Sequence, residues 1–285
     1  MGLNKEAIKI GFAYVGIVVG AGFSTGQEVM QFFSPYGLWS YIGVLLSGLI
    51  LGFIGRQVAK IGTAFDAQNH ESTLDYLFGN AFSKIVDYLL IFFLFGISVT
   101  MIAGAGSTFQ ESFGVPTWLG ALIMVIAIYI TLLMDFNKIV RALGIVTPFL
   151  IILVVIIAAY YLFNGSISLG KVNETVPHDS LWLGILKGIN YGGLAFAVGF
   201  STIVAIGGDA SRRRVSGAGA LFGGIIYTIL LALINFALQS EFPKIKDADI
   251  PMLTLANAIN PWIALVLSVI MLVVMYNTIL GLMYS

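Results

Sequence analysis

Gly16-Ile-Val-Val-Gly20-Ala-Gly22-Phe-Ser-Thr-Gly26-Gln-Glu28 decides how this chain is read. The stretch lies inside an apolar run from Ile8 to Phe33. That run is long enough for a helix to cross the hydrocarbon core, which takes about 20 mostly apolar residues. Yet it holds four glycines, a Ser, a Thr, a Gln and a Glu within thirteen residues. Glycine weakens a helix interior, and a carboxylate at that depth is expensive. The run therefore reads as a spanning helix interrupted near its middle.

Seven more apolar runs follow: Leu38 to Ile61, Ile85 to Phe109, Trp118 to Met134, Ala142 to Phe163, Leu181 to Gly207, Val215 to Leu238 and Trp262 to Ser285. Of the 285 residues, 59% are hydrophobic and 10% charged, against about 25% charged in globular domains, and the mean hydropathy is +0.98. A soluble fold could not cover its surface with so few charges. Barrel strands would alternate in segments of roughly ten residues, and Leu150-Ile-Ile-Leu-Val-Val-Ile-Ile157 does not alternate. The expectation is an all-α integral membrane protein of eight spans in contact with the lipid bilayer. Net charge is zero, so nucleic acid is not a partner, and the absence of Cys rules out thiolate chemistry.

Lys and Arg are unequally shared between the two sides. Lys5, Lys9, Arg56, Lys60, Lys84, Lys138, Arg141 and Arg212 to Arg214 fall on the side of the N-terminus, and Lys171, Lys187, Lys244 and Lys246 on the other. Basic residues stay in the cytoplasm, so a multi-pass protein of a bacterial cell membrane with a cytoplasmic N-terminus is expected, and the Arg run reads as a topology anchor. The connection after Glu241 contains Asp249-Ile-Pro-Met-Leu-Thr-Leu-Ala-Asn-Ala-Ile259, which predicts a short helix over the outer face.

The sixth run repeats the theme of the first in Gly188-Ile-Asn190-Tyr-Gly192-Gly193-Leu-Ala-Phe196-Ala-Val-Gly199-Phe200. Paired Gly-interrupted spans in corresponding positions point to an inverted-repeat transporter. An unwound stretch frees N–H groups for a carboxylate and C=O groups for a cation or ammonium. The bland reading is close helix packing, which is all that Gly217, Gly219, Gly223 and Gly224 are expected to do.

Gly20-Ala-Gly22-Phe23-Ser-Thr-Gly26-Gln-Glu28, followed by Gln31-Phe-Phe33 and Tyr36-Gly37, resembles the YkvI-type membrane proteins, which are placed with the amino acid permeases of the amino acid–polyamine–organocation superfamily. The resemblance implies a LeuT-type fold of two five-helix inverted repeats, with helices one and six broken around the substrate. It implies a transporter domain whose first repeat covers about residues 1–163 and whose second covers about 181–285. Eight runs where the fold needs ten imply a second repeat cut short. On this resemblance Gly20, Ala21 and Gly22 form the turn whose backbone amides hold a substrate carboxylate, with Ser24 also among the substrate-binding residues, and Phe196, Ala197 and Gly199 lie where helix six would unwind to meet its amino group. Phe23, Phe196 and Phe200 are candidates to line an apolar side-chain pocket. The implied function is alternating-access symport of an amino acid, with no enzyme activity.

Sodium-coupled relatives place the ion between the helix-one break and helix eight. Here that implies the carbonyls of Gly16 and Val19 on one side and Asn277, Thr278 and Ser285 on the other, with Na⁺ as the only accessory ion and no other cofactor. The alternative is a proton carried by Glu28, since an intramembrane carboxylate is a functional candidate by default. Metal transporters of this fold carry Asp-Pro-Gly-Asn in helix one and Met-Pro-His in helix six, and neither occurs here. His70 and His178 fall in loops on opposite sides. A channel-like protein of the same fold is the other alternative, although the third to fifth spans offer only Ser98, Thr100, Thr131 and Thr147 as scattered hydroxyls.

Overall fold

The computed structural model describes residues 5–133, 146–178 and 180–284. Lys138, Arg141, Ser285 and the outset of the fifth run at Ala142 lie outside the described residues. Within them the chain is helical and contains no strand. The first run is three pieces, α1 (Lys5–Val18), α2 (Ala21–Thr25) and α3 (Gln27–Phe32). A 3₁₀ turn, Ser34–Trp39, leads into α4 (Ser40–Leu49), a π-helical segment, Ile50–Ile54, and α5 (Gly55–Phe65). Then come α6 (Glu71–Phe113), α7 (Thr117–Leu132), α8 (Val146–Asn164), α9 (Leu181–Gly208), α10 (Arg213–Ser240), α11 (Pro251–Ile259) and α12 (Pro261–Tyr284).

Five helical stretches are long and apolar enough to cross a membrane: Ser34–Phe65, α6, α9, α10 and the Pro261–Met283 part of α12. Helix α7 and the Pro148–Asn164 part of α8 are apolar but shorter. Much of the bundle's outer surface is apolar. Tyr88, Phe92 and Phe95 on α6 are 72, 77 and 61% exposed, spaced to share one helix face. Exposure of large apolar side chains on this scale suits lipid and not water. The chain is a multi-pass membrane protein.

Helix α6 is interrupted at Gly79 (φ +73°, ψ 154°), a conformation L side chains rarely adopt, which separates Glu71–Phe78 from the spanning part. The short helix expected after Asp249 is present as α11, with Met252, Leu253, Leu255 and Ala256 buried. Helix α1 packs against α9 and α10, α4 and α5 against both α9 and α10, and α6 against α7 and α12.

The sixth span corrects the expectation. Helix α9 runs unbroken from Leu181 to Gly208, so it has no unwound stretch at Phe196, Ala197 and Gly199. Its glycines serve approach instead. A methyl built on Gly188 would run into Gly43, one on Gly207 into the Ala59 carbonyl, and one on Gly192 would come within 2.9 Å of Ser47 Cα. Gly188 O accepts from Ser47 Oγ at 2.7 Å, so backbone meets side chain across the seam. Small residues let helices touch where lipid offers no hydrophobic drive between them. Gly219, Gly223 and Gly224 on α10 play the expected packing part against Ile10, Gly11 and Gly52.

Candidate functional site

The first span is interrupted where the sequence suggests. Gly20 N–H closes on Val18 O at 2.9 Å, two residues back, where a continuing helix would reach Gly16 O. Gly20 itself is extended (φ −86°, ψ −166°). Helix α2 begins at Ala21 and ends on Gly26, whose φ of +80° favours glycine and whose N–H reaches Phe23 O at 3.2 Å. Thr25 Oγ1 donates to Gly22 O and accepts from Gln27 N, at 3.2 and 3.3 Å, which fixes the corner between α2 and α3. Gln27 Nε2 donates to Asp249 O in the connection before α11.

Beyond that corner, α3 carries Glu28 back over α2. A methyl built on Gly22 would strike the Glu28 carboxylate, so the glycine makes room for it. Tyr191 Oη, from α9, donates to Glu28 Oε2 at 2.9 Å, and Tyr227 Oη, from α10, donates to Tyr191 Oη at 2.8 Å. Both tyrosines are 1% exposed. The chain Tyr227 to Tyr191 to Glu28 thus draws three separate spans to one point. A typical hydrogen bond contributes about 0.5–1.5 kcal/mol net. A half-buried carboxyl group with a phenolic donor is accordingly a held group.

Aromatic rings enclose this chain. Phe23 lies 5.1 Å from Tyr227 between centroids, Phe32 5.3 Å from Tyr191, and Phe33 5.0 Å from Tyr191, edge to face. Lys187, one turn from Tyr191 on α9, holds its ammonium 5.6 Å over the Phe32 ring. Tyr14 Oη donates to Leu51 O at 3.3 Å, inside the π-helical segment of the second span. Such bulges offer carbonyls that a regular helix keeps to itself.

The expected residues are brought together only in part. Gly20, Gly22, Phe23 and Glu28 share the site, and Ser24 and Thr25 are fully buried beside it. Ala21 is placed by its backbone alone. Gly199 packs against Val18 and Tyr14, just before the interruption. Phe196 and Phe200 pair with each other at 5.9 Å, and Phe200 faces His70 at 6.2 Å, away from Glu28. On the ion side, Thr278 approaches the break, its γ-methyl 3.9 Å from a Cβ built on Gly20. Its hydroxyl donates to Val274 O of its own helix at 2.9 Å. Val19 and Gly16 are buried and Asn277 is half-buried. His70 pairs with Asp87 at 2.7 Å, and His178 stacks on Tyr36 at the opposite end of the bundle. The hydroxyls of Ser98, Thr100 and Thr131 each donate to their own helix backbone.

Tyr191 and Tyr227 are site residues that sequence reasoning passes over. Tyr191 lies within the Gly-rich sixth run, and its neighbourhood to Gly192 and Gly193 was the only local signal.

No family model matches the chain. It is 29% identical over 281 residues to the uncharacterized membrane protein YkvI of Bacillus subtilis (strain 168), covering 98% of this chain and 80% of that protein. It is 24% identical over 283 residues to the uncharacterized protein YyaD of the same bacterium, covering 97 and 79%. The chain is homologous to these Bacillus proteins. Among solved structures, two mutant forms of the Eremococcus coleocola manganese transporter superimpose with TM-scores of 0.52 and 0.53 at 15% identity. The match covers 96% of this chain and 63% of theirs, so the chain spans less than two thirds of those transporters. At that identity the likeness establishes the fold.

Proposed function

We propose that this chain is a secondary transporter of a small zwitterionic solute, an amino acid, working by alternating access with eight spans in two inverted repeats. The observation that carries the reading is the Glu28 carboxylate, seated on Gly22 at the interrupted first span and held by Tyr191 inside the bundle. An acidic side chain kept at such depth costs stability and is retained for the passage of a charge. The likeness to a transporter fold supports the class.

In this reading the interrupted backbone at Gly20 to Gly22 meets the substrate carboxylate. With α9 unbroken, the substrate amino group is received by the tyrosine hydroxyl oxygens beside Glu28 instead of by freed α9 carbonyls. The coupling ion is a proton on Glu28. A second reading, Na⁺ coupling through the Gly16 and Val19 carbonyls with Asn277 and Thr278, draws on the position of Thr278 beside Gly20. Manganese is the cargo in the name of the structural neighbours. Among the described residues here, no three His, Asp or Glu side chains gather to hold a metal ion. The Lys and Arg bias supports a cytoplasmic N-terminus.

The test is a panel of amino acids added to the purified chain with and without Na⁺ and at two pH values, read by thermal shift. A hit is then followed as uptake into proteoliposomes under a proton or a Na⁺ gradient. Stabilisation by an amino acid followed by proton-driven uptake is the expected result. Uptake driven by Na⁺ alone selects the second reading, and ion current without a gradient requirement overturns both.

A further inference from the structure

The end of the bundle that carries the N-terminus has a feature unrelated to Glu28. A cleft of about 680 Å³ opens where the last turns of α5, the first turn of α10 and the outset of α6 meet. Lys60, Arg213 and Arg214 line it together with Gln57, Phe65 and Tyr76. Among the described residues, none of the ion pairs, such as His70 with Asp87 and Lys244 with Glu241, involves the three cations of the cleft. Glu6, from α1, accepts instead from Ser211 N and Oγ at 2.8 and 2.7 Å.

The cations are placed by packing. A Cβ built on Gly217 of α10 would lie 2.8 Å from Lys60 Cε and 3.2 Å from Arg56 Cγ, so glycine lets both stems lie flat across the α5–α10 seam. Topology rules explain why positive charge stays on one side of a membrane. They do not explain three cations around one cavity with aromatic walls. Phe65 and Tyr76 pack at 5.2 Å yet remain 46 and 64% exposed. From Phe65 a stripe runs back through Ile61 and the exposed Gln57 to Ile54 and Phe53 of the π-helical segment, the last two 41 and 58% exposed. The cleft is therefore cationic at its rim, and the face leading away from it is apolar except at Gln57.

We propose that this cleft binds the headgroup of an anionic phospholipid, with the phosphate between Lys60, Arg213 and Arg214 and an acyl chain along the α5 stripe. A soluble phosphate would use the cations but has no need of the stripe. Basic pockets between spans at the cytoplasmic surface are suited to anionic headgroups. The proposal concerns a different part of the molecule from the transport site and needs no cargo to be identified.

The test is retention of phosphatidylglycerol by the purified full chain after detergent exchange, counted by native mass spectrometry, with thermal shift as a second readout. The wild type is expected to hold phosphatidylglycerol at least tenfold better than phosphatidylcholine, since each Lys or Arg near an anionic surface contributes roughly a fivefold factor. Substituting Lys60→Gln, Arg213→Gln and Arg214→Gln together abolishes the preference, while Lys171→Gln with Lys246→Gln leaves it intact. Should the triple variant fail to fold or insert, Phe65→Ala with Tyr76→Ala keeps every charge and is expected to lower retention severalfold. Equal retention of both lipids by the wild type, an unchanged preference in whichever cleft variant folds, or an equal thermal shift from inorganic phosphate alone overturns the proposal.

Discussion

Tyr191 of α9 donates its phenolic hydrogen to Glu28 Oε2 of α3 across 2.9 Å, joining residues 163 positions apart. The bond ties the interrupted α1–α3 segment to the unbroken α9. Tyr191→Phe removes the donor and leaves a carboxylate oxygen without its partner, which costs about 1–3 kcal/mol. The expected outcome is a lower Tm in detergent and an uptake profile displaced along the pH axis. A profile and Tm equal to wild type would mean that this bond holds nothing.

Glu28→Gln keeps the shape and removes the titrating group. Uptake in proteoliposomes is expected to fall at least tenfold, roughly the smallest loss seen when a charge-assisted contact is deleted, and the residual rate should not respond to a proton gradient. Glu28→Asp, shorter by one methylene, keeps a carboxyl but moves it from Tyr191, so an intermediate rate with pH dependence retained is expected. Wild-type behaviour of Glu28→Gln across pH would sink proton coupling.

Gly22→Leu places a branched side chain where the Glu28 carboxylate lies, because even a methyl there would collide. Amino acid binding by thermal shift is expected to be lost while the chain still inserts. Binding that survives this substitution would put the site elsewhere.

Two glycines of α9 separate packing from space. Gly188→Ala drives a methyl into Gly43 and is expected to destabilise by about 1–3 kcal/mol, the usual cost of overpacking. At Gly193 nothing lies within 4 Å, so Gly193→Ala is expected to be neutral or stabilising by roughly 0.5–1 kcal/mol. Thermal melts of the two variants check this directly. Equal melts would contradict the seam.

Glu241, at the far end of α10, gives a pH dependence outside the spans. Burial opposes its ionisation, but hydrogen bonds from Lys244 and Ser166 outweigh it and hold the carboxyl below its ordinary value of 4.5. Lys244 Nζ lies 2.6 Å from Oε2, and Ser166 N and Oγ donate to Oε1 at 2.8 and 2.7 Å. A depressed folded value means that the stabilisation is full above pH 4.5 and fades as pH falls through the lower folded value. Glu241→Gln is expected to lower Tm at neutral pH and to narrow the gap to wild type on acidification below 4.5. A constant gap would contradict the linkage.

The membrane class and the interruption of the first apolar run were legible in the amino-acid sequence. Both are local consequences: a near-absence of charge leaves no means of facing water, and glycines beside Ser24, Thr25 and Glu28 weaken one particular helix at one depth. The same glycine density in the sixth span had the opposite outcome. Gly188, Gly192 and Gly207 face Gly43, Ser47 and Ala59, so their missing side chains are filled by another helix and α9 stays whole. A glycine's effect depends on what stands opposite it, and a single chain of letters does not say what stands opposite. Tyr191 and Tyr227 were out of reach for the same reason, being two among twelve tyrosines until packing set their hydroxyls in line with Glu28. Which residues meet was decided by the tertiary structure alone, because contacts between distant spans follow from how helices pack and not from the composition of any one of them.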